Sequence, residues 1–291
     1  MTTAEQLSYQ AENLTQRRVS FAYYYLTTPT RIFIHAHSYY EILVFASGSV
    51  DRYIIGQRSY VLRPGDVLVV PPSVLHHPIF NSDPDGHYSR YSYCVTAEHM
   101  TALQKASNAD YLFRRCEEQA EYLIRLPELQ RRQLLVQMEK TWGDVSSAKF
   151  SSGLFTHAHF LHFLAQLNEY VYSNNEMLKF SEFTHDSLLE RLLAYIHDNY
   201  STDMTLRSTA KAFHVSSSTI EALFSKSLNT SFYRYVTEYR IAAAKTFILN
   251  GMPLKEVCAS CGYTDYSNFY RVFTKLTGHS PSSFRHGDFP K

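Results

Sequence analysis

The sequence predicts a two-domain α+β chain, with an N-terminal β-barrel and flanking helices followed by an all-α domain. Short β-forming runs separated by turn residues fill residues 20–96. A pattern of two short helices occurs twice in the last hundred residues, and such a repeat is a strong fold signal. The second domain is therefore expected to hold two helix-turn-helix motifs joined by a long helix.

The composition is that of a globular protein. Of 291 residues, 45% are hydrophobic and 19% are charged, and this length favours two domains. No stretch approaches the ~20 apolar residues of a membrane span, and the polar N-terminus does not have the pattern of a signal peptide. The four cysteines are too few for a disulfide framework in this chain, so a cytoplasmic location and no membrane partner are expected.

Charge is distributed unevenly between the two predicted domains. Residues 184–291 carry 12 Lys or Arg and 9 Asp or Glu, whereas the rest of the chain carries 16 and 18. This small basic excess predicts only modest attraction to nucleic-acid phosphates. Binding to DNA would then depend on base contacts and on paired protomers.

The N-terminal half divides into an arm, a barrel and a helical layer. Residues 1–19 are polar and predict a mobile arm, and many short strands in residues 20–96 indicate a sandwich or small barrel. The predicted strands are 21–26, 31–36, 41–46, 51–56, 59–62, 66–71 and 90–95. Residues 97–175 predict helices over 98–105, 111–123, 127–142 and 151–173.

The last of these helices has an unusually broad apolar surface. Leu154, Ala158, Leu161 and Ala165 form one stripe at helical spacing, and further apolar residues lie beside it. Because this width exceeds what one contact requires, we expect the helical layer to pack on the barrel and to form a dimer interface. The polar residues 176–184 are the predicted linker.

The all-α domain is predicted over residues 185–291, beginning with a helix at 188–200. Its repeat has an offset of 48 residues in the first helix of each unit and 49 in the second. The matched residues are Leu206, Ala210, Phe213 and Val215 with Leu254, Cys258, Cys261 and Tyr263, then Ile220, Phe224 and Lys226 with Phe269, Phe273 and Lys275. Gly262 and Gly278 end the two helices of the second unit, and Thr264 or Asp265 caps its second helix. The second helix of such a unit can enter the DNA major groove.

Residues from about 184 to 286 resemble the DNA-binding domain of the AraC/XylS family of bacterial transcription regulators. The match is carried by Gly262, Ser267, Phe269, Arg271, Phe273, Gly278 and the Ser-Pro and Phe-Arg ending, together with Arg240 and Ala244 in the connecting helix 232–250. The resemblance implies an operator in double-stranded DNA, a homodimer and contact with RNA polymerase.

Candidate DNA contacts are the outward residues of each second helix and the positions that the family alignment implies. They are Ser217, Ser218, Glu221, Ala222 and Lys226 in the first unit, and Tyr266, Ser267, Asn268, Tyr270, Arg271 and Lys275 in the second. Glu221 can accept a hydrogen bond from cytosine, whereas Asn268 and Arg271 can pair with adenine and guanine. The resemblance leaves open whether Arg271 pairs within the domain instead. Lys226 and Lys275 are better placed for phosphates.

Cys258 and Cys261 have the spacing of half a zinc site. No second ligand pair accompanies them, and both fall on the apolar face of a predicted helix. They are therefore expected to be core residues.

The N-terminal motif His35-x-His37-x3-Glu41-x6-Gly48, with a later run ending at His76, resembles the cupin or jelly-roll domain that many AraC-type regulators carry as a sensor. In cupins, residues with the spacing of His35, His37, Glu41 and His76 bind a metal. Imidazoles and a carboxylate suit Zn, Fe, Ni or Mn. We predict no required cofactor, but a divalent metal at these four residues stays open.

The same barrel interior can instead form a polar ligand site walled by aromatic rings. Predicted contributors are Tyr23, Tyr25, Arg31, His35, His37, Tyr39, Glu41, His76 and Tyr93. Tyrosines stack on sugar faces and supply hydroxyls, which favours a carbohydrate or a related polar metabolite as effector. Any one of these tyrosines can also be ordinary strand filler.

The sequence therefore predicts a dimeric transcription activator that responds to a small molecule and is not an enzyme. Two alternatives remain at this point. The first is a metal-dependent cupin enzyme with an accessory DNA-binding domain. The second is a regulator without a small-molecule ligand that a protein partner controls.

Overall fold

The computed structural model describes residues 18–27, 32–80, 86–106, 111–148, 150–174 and 188–286. In these ranges a sheet-rich N-terminal part precedes an all-helical C-terminal part, which confirms the predicted fold class. The predicted linker, and the predicted arm up to residue 17, lie outside the described residues. None of the described helices combines the length and apolarity needed to cross a bilayer.

The N-terminal part is built on two antiparallel sheets. The strands are β1 (Val19–Leu26), β2 (Tyr39–Gly48), β3 (Val50–Ile55), β4 (Arg58–Tyr60), β5 (Val67–Val70), β6 (His76–Phe80), β7 (Tyr88–Thr96) and β8 (Leu123–Ile124). The larger sheet has the order β1-β7-β2-β5-β8, and the smaller sheet has the order β4-β3-β6. These strands are rich in Tyr, Val and Ile, which favour extended backbone.

The structure corrects three sequence expectations in this part. Residues 32–36 do not form a strand and contribute only an isolated bridge between His35 and His76, because this segment pairs with β6 at a single point. The predicted helix over 111–123 ends at Gln119, where the left-handed Ala120 (φ 51°) turns the chain so that β8 can pair with β5. Strand β6 was not predicted, because its His-His-Pro start lacks a β-forming pattern.

Four helices cover the outer face of the larger sheet. They are α1 (Ala97–Ala106), α2 (Tyr111–Gln119), α3 (Glu128–Ser147) and α4 (Ser152–Ser173). The ring of Tyr93 on β7 lies 5.4 Å from that of Phe160 and 5.3 Å from that of Phe163 on α4. The sheets and these helices thus share one apolar core.

The C-terminal part contains the predicted repeat. Its described helices are α5 (Leu188–Asn199), α6 (Leu206–Ala212), α7 (Ser217–Leu228), α8 (Phe232–Leu249), α9 (Leu254–Ser260), α10 (Tyr266–Thr277) and α11 (Pro281–His286). The bounds of α6 and α9 differ by 48 residues at both ends, and those of α7 and α10 differ by 49. We call α6 with α7 the first unit and α9 with α10 the second unit.

The long helix α8 joins the two units and is fixed by Arg240. Arg240 Nε donates to Tyr200 O at 2.7 Å, and Arg240 Nη2 donates to Thr202 O at 2.8 Å. Its guanidinium also lies over the ring of Tyr263, 5.6 Å from the ring centre. One side chain therefore connects the end of α5, the joining helix and the turn of the second unit.

Candidate functional site

The four predicted cupin-type residues meet inside the N-terminal part, between the two sheets. Glu41 comes from β2 and His76 from β6, whereas His35 and His37 lie on the segment before β2. All four are buried, and His76 is fully inaccessible. We call these four residues the His–Glu cluster.

Backbone hydrogen bonds set the orientation of all three imidazoles. The Nδ1 atoms of His35, His37 and His76 lie 2.9, 2.8 and 2.9 Å from the carbonyl oxygens of Phe33, Tyr39 and Val74. A carbonyl can only accept, so each Nδ1 carries the proton. In a neutral ring the lone pair is then on Nε2.

Two of these Nε2 atoms lie near the same carboxylate oxygen. Glu41 Oε2 is 3.4 Å from His37 Nε2 and 3.3 Å from His76 Nε2. Burial lowers the pKa of His37, and burial together with His76 lowers the pKa of His35 well below its usual value, so both rings are neutral near pH 7. His37 Nε2 and Glu41 Oε2, both hydrogen-bond acceptors, therefore face each other among buried side chains, which is unfavourable unless a cation lies between them.

The donor set fits a divalent metal ion. Ligand atoms of His37, Glu41 and His76 all lie within 4.8 Å of one another. A histidine that binds a metal through one ring nitrogen usually donates the N–H of the other to a carbonyl or carboxylate oxygen, as these histidines do through Nδ1. His35 is outside this group of three, although its ring lies 4.2 Å from that of His76.

Arg90 on β7 is a cluster neighbour that sequence reasoning missed. Its Nη2 lies 3.7 Å from Glu41 Oε1, and its guanidinium sits 5.0 Å from the ring centre of Tyr24 and 5.7 Å from that of Tyr88. Burial opposes ionisation of Glu41, but the charge of Arg90 outweighs it and holds the Glu41 pKa well below its usual value. Glu41 is therefore a carboxylate.

Two buried polar atoms near the cluster have no hydrogen-bond partner in the protein. Among the described residues, Tyr53 OH and Arg90 Nε are buried and make no hydrogen bond. Ser92 Oγ donates to Glu41 Oε1 at 2.5 Å and so occupies the other carboxylate oxygen. Unpaired buried donors are costly, so this environment suits a polar bound molecule.

The remaining predicted ligand residues are placed differently. Tyr39 joins the cluster, with its ring stacked 3.9 Å from that of His37. Tyr23 packs against Tyr91 and Trp142 on the helix-covered side of the sheet, and Tyr93 also faces the helices. Tyr25 is 54% exposed and stacks on His87. Arg31 lies outside the described residues.

Strand parity explains this separation. Successive side chains on a strand point to opposite faces, and Tyr24 is paired with Arg90 across β1 and β7. The inward tyrosine of β1 is therefore Tyr24, and Tyr23 and Tyr25 point the other way. The same parity places Tyr88, Arg90 and Ser92 on the cluster face. Arg90 could have been found from the sequence, because it is the one charged residue in the middle of the strand 88–96.

The surface that α7 exposes in the first unit is small, and one of its candidate residues is already hydrogen-bonded within the protein. Ser218, Ala222 and Lys226 are exposed, whereas Ser217 is half-buried. Glu221 Oε2 accepts a hydrogen bond from Phe232 N at 3.3 Å, at the start of α8. This carboxylate therefore already accepts a hydrogen bond from the first turn of the helix that joins the two units.

The second unit presents a larger surface on α10. The six candidate DNA-contacting residues of this unit, Tyr266, Ser267, Asn268, Tyr270, Arg271 and Lys275, are all exposed. Arg271 Nη2 donates to Asn268 Oδ1 at 3.0 Å, so the two side chains lie together on the outer face. The helix begins at Asp265, whose carboxylate accepts from the backbone of Ser267 and Asn268 at 3.2 and 2.8 Å. This arrangement can present an amide and a guanidinium to base edges.

Comparison with known families assigns both parts of the chain. Residues 18–164 match the AraC-like ligand binding domain, and residues 209–287 match a helix-turn-helix domain. The chain belongs to the AraC family. It is a ligand-responsive transcriptional regulator that binds DNA through its helix-turn-helix domain.

Several curated relatives of this AraC-family chain are regulators. The uncharacterized HTH-type transcriptional regulator YijO of Escherichia coli is 38% identical over 101 residues, which is 34% of this chain and 35% of that protein, so the match spans about a third of either. The corresponding regulator YfiF of Bacillus subtilis is 24% identical over 96% of this chain and 88% of its own length. The arabinose operon regulatory protein of Salmonella typhimurium is 27% identical over 78% of this chain and 77% of its own length.

Solved structures similar to this chain align either with about a third of it or with most of its length. The C-terminal domain of AraT, a response regulator from Geobacillus stearothermophilus, is 26% identical with a TM-score of 0.35, covering 38% of this chain and 92% of its own. An apo form of ToxT from Vibrio cholerae covers 92% of this chain and 97% of its own at 13% identity, with a TM-score of 0.40.

Proposed function

We propose that the effector of this AraC-family regulator is a carbohydrate or a related polar metabolite, bound beside the His–Glu cluster, and that it switches the chain to activate transcription in the cytoplasm. The observation that carries the proposal is the buried group of unpaired donors, Arg90 Nε and Tyr53 OH, next to the Glu41 carboxylate. Sugar hydroxyls both donate and accept, so one sugar can satisfy all three groups. The flat rings of Tyr24, Tyr39 and Tyr88 around them are suited to stack on a sugar face.

The relatives support the sugar class. The arabinose operon regulatory protein aligns with 78% of this chain, which includes most of the N-terminal part, called the sensor part from here on. Regulators of this family act on DNA, and the relatives carry no enzyme name. We accordingly expect binding of the effector without turnover.

Calorimetry with the full-length chain tests the effector. L-arabinose and a panel of other pentoses, hexoses and sugar acids are titrated one at a time, and we expect saturable heat with at least one. Arg90→Gln should abolish that heat, because it removes the buried guanidinium. Tyr25→Phe is the matched control, since Tyr25 lies outside the cluster, and it should bind as the wild type does. Absence of heat with every sugar, with and without added zinc, overturns the carbohydrate assignment.

A second candidate role for the cluster is to hold a metal ion. The convergence of two imidazole Nε2 atoms and a carboxylate oxygen on one point favours it. His37, Glu41 and His76 would hold the ion, and a bound divalent cation would supply a positive centre for a ligand oxygen. The role of the protein is then to fix the imidazoles through their Nδ1–H bonds and to keep water out.

Elemental analysis of protein purified without chelator tests the metal. We expect about one divalent ion per chain in the wild type and a large loss in His76→Gln. His157→Gln is the control, since His157 lies on α4 beside His99 and away from the cluster. Substoichiometric metal in the wild type, also after incubation with zinc chloride, rejects this role.

DNA binding is proposed to depend on both units, with Asn268 and Arg271 of the second unit reading bases and Lys226 and Lys275, one in each unit, contacting phosphates. The exposure of these four side chains supports the proposal. The rigid helix α8 would place the recognition helices in successive major grooves, ~34 Å apart. Binding selection from random duplexes with the full-length chain tests it, and no enrichment of any sequence would reject it.

We also infer a homodimer formed through α4, which would let the chain engage two half-sites and RNA polymerase. The exposed residues Leu154, Ala158, Leu161 and Ala165 repeat at the four- and three-residue spacing of a heptad seam, and the exposed Tyr172 follows Ala165 by one heptad. Leu154 is 74% exposed, so the stripe is unpaired in the single chain. Sedimentation should give a dimer for the wild type and a monomer for Leu161→Glu, and Gln166→Glu on the same helix is the charge-matched control. A monomeric wild type rejects the dimer.

A further inference from the structure

The helical layer contains a groove between its two longest helices, α3 and α4. Each helix contributes four residues with the i, i+3, i+4 and i+7 spacing of a single helical face, within 130–137 on α3 and 163–170 on α4. Leu126, just before α3, completes the lining, and the cavity volume is about 150 Å³. The groove is therefore formed by two facing helix surfaces and not by a loop.

The floor of the groove is apolar. It is formed by four buried side chains, those of Leu126, Leu134, Phe163 and Leu167. Phe163 is only 1% exposed, and its ring lies 5.3 Å from that of Tyr93 on the strand β7 beneath it. A bound apolar group would thus rest on a packed surface that is already part of the core of the sensor part.

The rim of the groove is polar and uncharged. The side chains of Gln130, Gln133 and Gln166 line it and are exposed, so the groove is open to solvent on this side. None of the nine described lining residues is charged. An ion bound here would lose hydration without gaining an opposite charge, which is costly. The lining therefore favours a neutral molecule.

One donor at the groove lacks a partner in the protein. Gln137 Nε2 is buried and makes no hydrogen bond with any residue that the structure describes. An unpaired buried donor costs free energy. A ligand with an acceptor oxygen would remove this cost by accepting a hydrogen bond from Gln137.

The volume limits the size of the occupant. An apolar cavity of about 150 Å³ holds one benzene-sized ring. A ring of this size would cover the apolar floor, and a polar substituent would reach Gln137 or the carboxamides of the rim. A long acyl chain or an oligosaccharide exceeds this space.

We propose that the groove between α3 and α4 is a second small-molecule site, for an uncharged single-ring molecule that carries an acceptor oxygen. It is separate from the His–Glu cluster, because Tyr93 faces the helices whereas Arg90 and Ser92 lie on the opposite face of β7. The inference does not depend on the carbohydrate proposal, and neither result decides the other.

Ligand-detected NMR titration of the full-length chain with benzamide and benzoate tests the site. The two probes have nearly the same shape, but only benzoate is charged. We expect saturable binding of benzamide and at least about tenfold weaker binding of benzoate, because the groove offers no opposite charge. Equal or stronger binding of benzoate overturns the inference.

Two groove variants then locate the benzamide. Gln137→Leu should weaken its binding by about tenfold, the usual value of one hydrogen bond, and Gln133→Trp at the exposed rim should abolish it by filling the groove. Gln104→Leu makes the same exchange as Gln137→Leu on α1, outside the groove, and should bind as the wild type does. Wild-type affinity in both groove variants would place benzamide elsewhere and reject the site.

Thermal unfolding of Gln137→Leu gives a readout without any ligand. The exchange removes an unpaired buried donor, so the unfolding midpoint should stay the same or rise. A lower midpoint would mean that Gln137 is already paired within the protein, and the argument for a ligand would fail.

The same NMR titration distinguishes a different occupant of the groove. If a second copy of the chain covers it, benzamide should fail to bind the wild type and should bind the monomeric Leu161→Glu variant, and this result rejects a small-molecule site. Absence of binding to both proteins rejects it as well.

Discussion

The first unit (α6 and α7) and the second unit (α9 and α10) have helices of equal length, seven and twelve residues in each. Their turns also correspond: His214 and Gly262 both have positive φ, at 55° and 75°, and so do the helix-ending Asn229 and Gly278, at 49° and 78°. They differ in surroundings, because apolar residues of the first unit belong to one cluster with Ile34, Ile54, Leu75 and Ile79 of the N-terminal part, whereas the cluster of the second unit includes no described residue of that part. The comparison teaches that the same local arrangement of two helices can have different surroundings, with the first unit in one core with the N-terminal part and the second unit in a core of its own among the described residues.

The outward surfaces follow the same division. On α7 the exposed candidates are small, and Glu221 is bonded to the start of α8. On α10 the exposed candidates include two tyrosines, an asparagine and an arginine. We therefore expect base discrimination to be concentrated in the second unit. The following four predictions test this asymmetry in order of decreasing effect.

The largest effect is expected at the turn of the second unit. Gly262 has φ +75°, and a Cβ there would lie 2.8 Å from Tyr200 O and 2.9 Å from Ser201 O. Gly262→Ala should lower the free energy of unfolding by about 3 kcal/mol, the upper range for strained backbone. His214→Ala at the matching turn of the first unit exchanges one left-handed side chain for another and should cost much less. Urea unfolding of both variants measures the difference, and equal losses would remove this distinction between the turns.

The next effect is on DNA specificity. Asn268→Ala and Arg271→Ala should each cost ~1–3 kcal/mol at one base position, because each removes a side chain able to pair with a base edge. Ser218→Ala in the first unit is the comparison and should change affinity much less. Binding to duplexes with single-base changes distinguishes the cases. Uniform loss on all duplexes would mean that Asn268 and Arg271 contact phosphates.

A smaller effect is expected at Glu221. Its carboxylate accepts from Phe232 N at the positive end of α8, so Glu221→Gln should lower stability by about 0.5–1 kcal/mol, as for other charges at helix ends. Base preference should stay as in the wild type. Thermal unfolding gives the first quantity and duplex competition the second. A change confined to one base pair would show that Glu221 reads DNA after all.

The smallest effect concerns the helix-ending residues. Asn229→Gly should raise the free energy of unfolding by a few tenths of a kcal/mol, and Gly278→Asn should lower it by a similar amount, because glycine adopts the left-handed conformation with least strain. A Cβ at Gly278 meets no atom within 4 Å, so sterics do not interfere. Chemical unfolding of the two exchanges should give opposite signs. If both exchanges changed the free energy of unfolding in the same direction, contacts around each helix end would outweigh the backbone preference of the residue itself.

Much of the C-terminal part could be predicted because its signals are local. The 48- and 49-residue offsets, the cap at Asp265 and the helix ends at Gly262 and Gly278 follow from neighbouring residues, and the structure reproduces them. Cys258 and Cys261 were predicted as core residues, and both are buried. Helical spacing also predicted the stripe on α4, although the sequence could not show that it would be left uncovered.

The sensor site was predicted less completely. The resemblance to cupins pointed to the four members of the His–Glu cluster, but Arg90, Tyr53 and Ser92 come from strands far apart in the chain and were not predicted. A strand alternates faces whatever its sequence, so the choice between Tyr24 and its neighbours depends on which face the second sheet covers. Local composition carries no information on that point.

The sequence by itself determined the order of the two parts, the duplicated helix pairs and the residue types available for DNA and for a polar ligand. These depend on helical periodicity, capping and turn residues, which act over a few positions. Only the tertiary structure decided which strand face is inward, that Arg90 stands beside Glu41, and that apolar residues of the N-terminal part share a described cluster with the first unit and not with the second. Those outcomes depend on contacts between residues tens to hundreds of positions apart, and the pattern of any single segment is compatible with either choice.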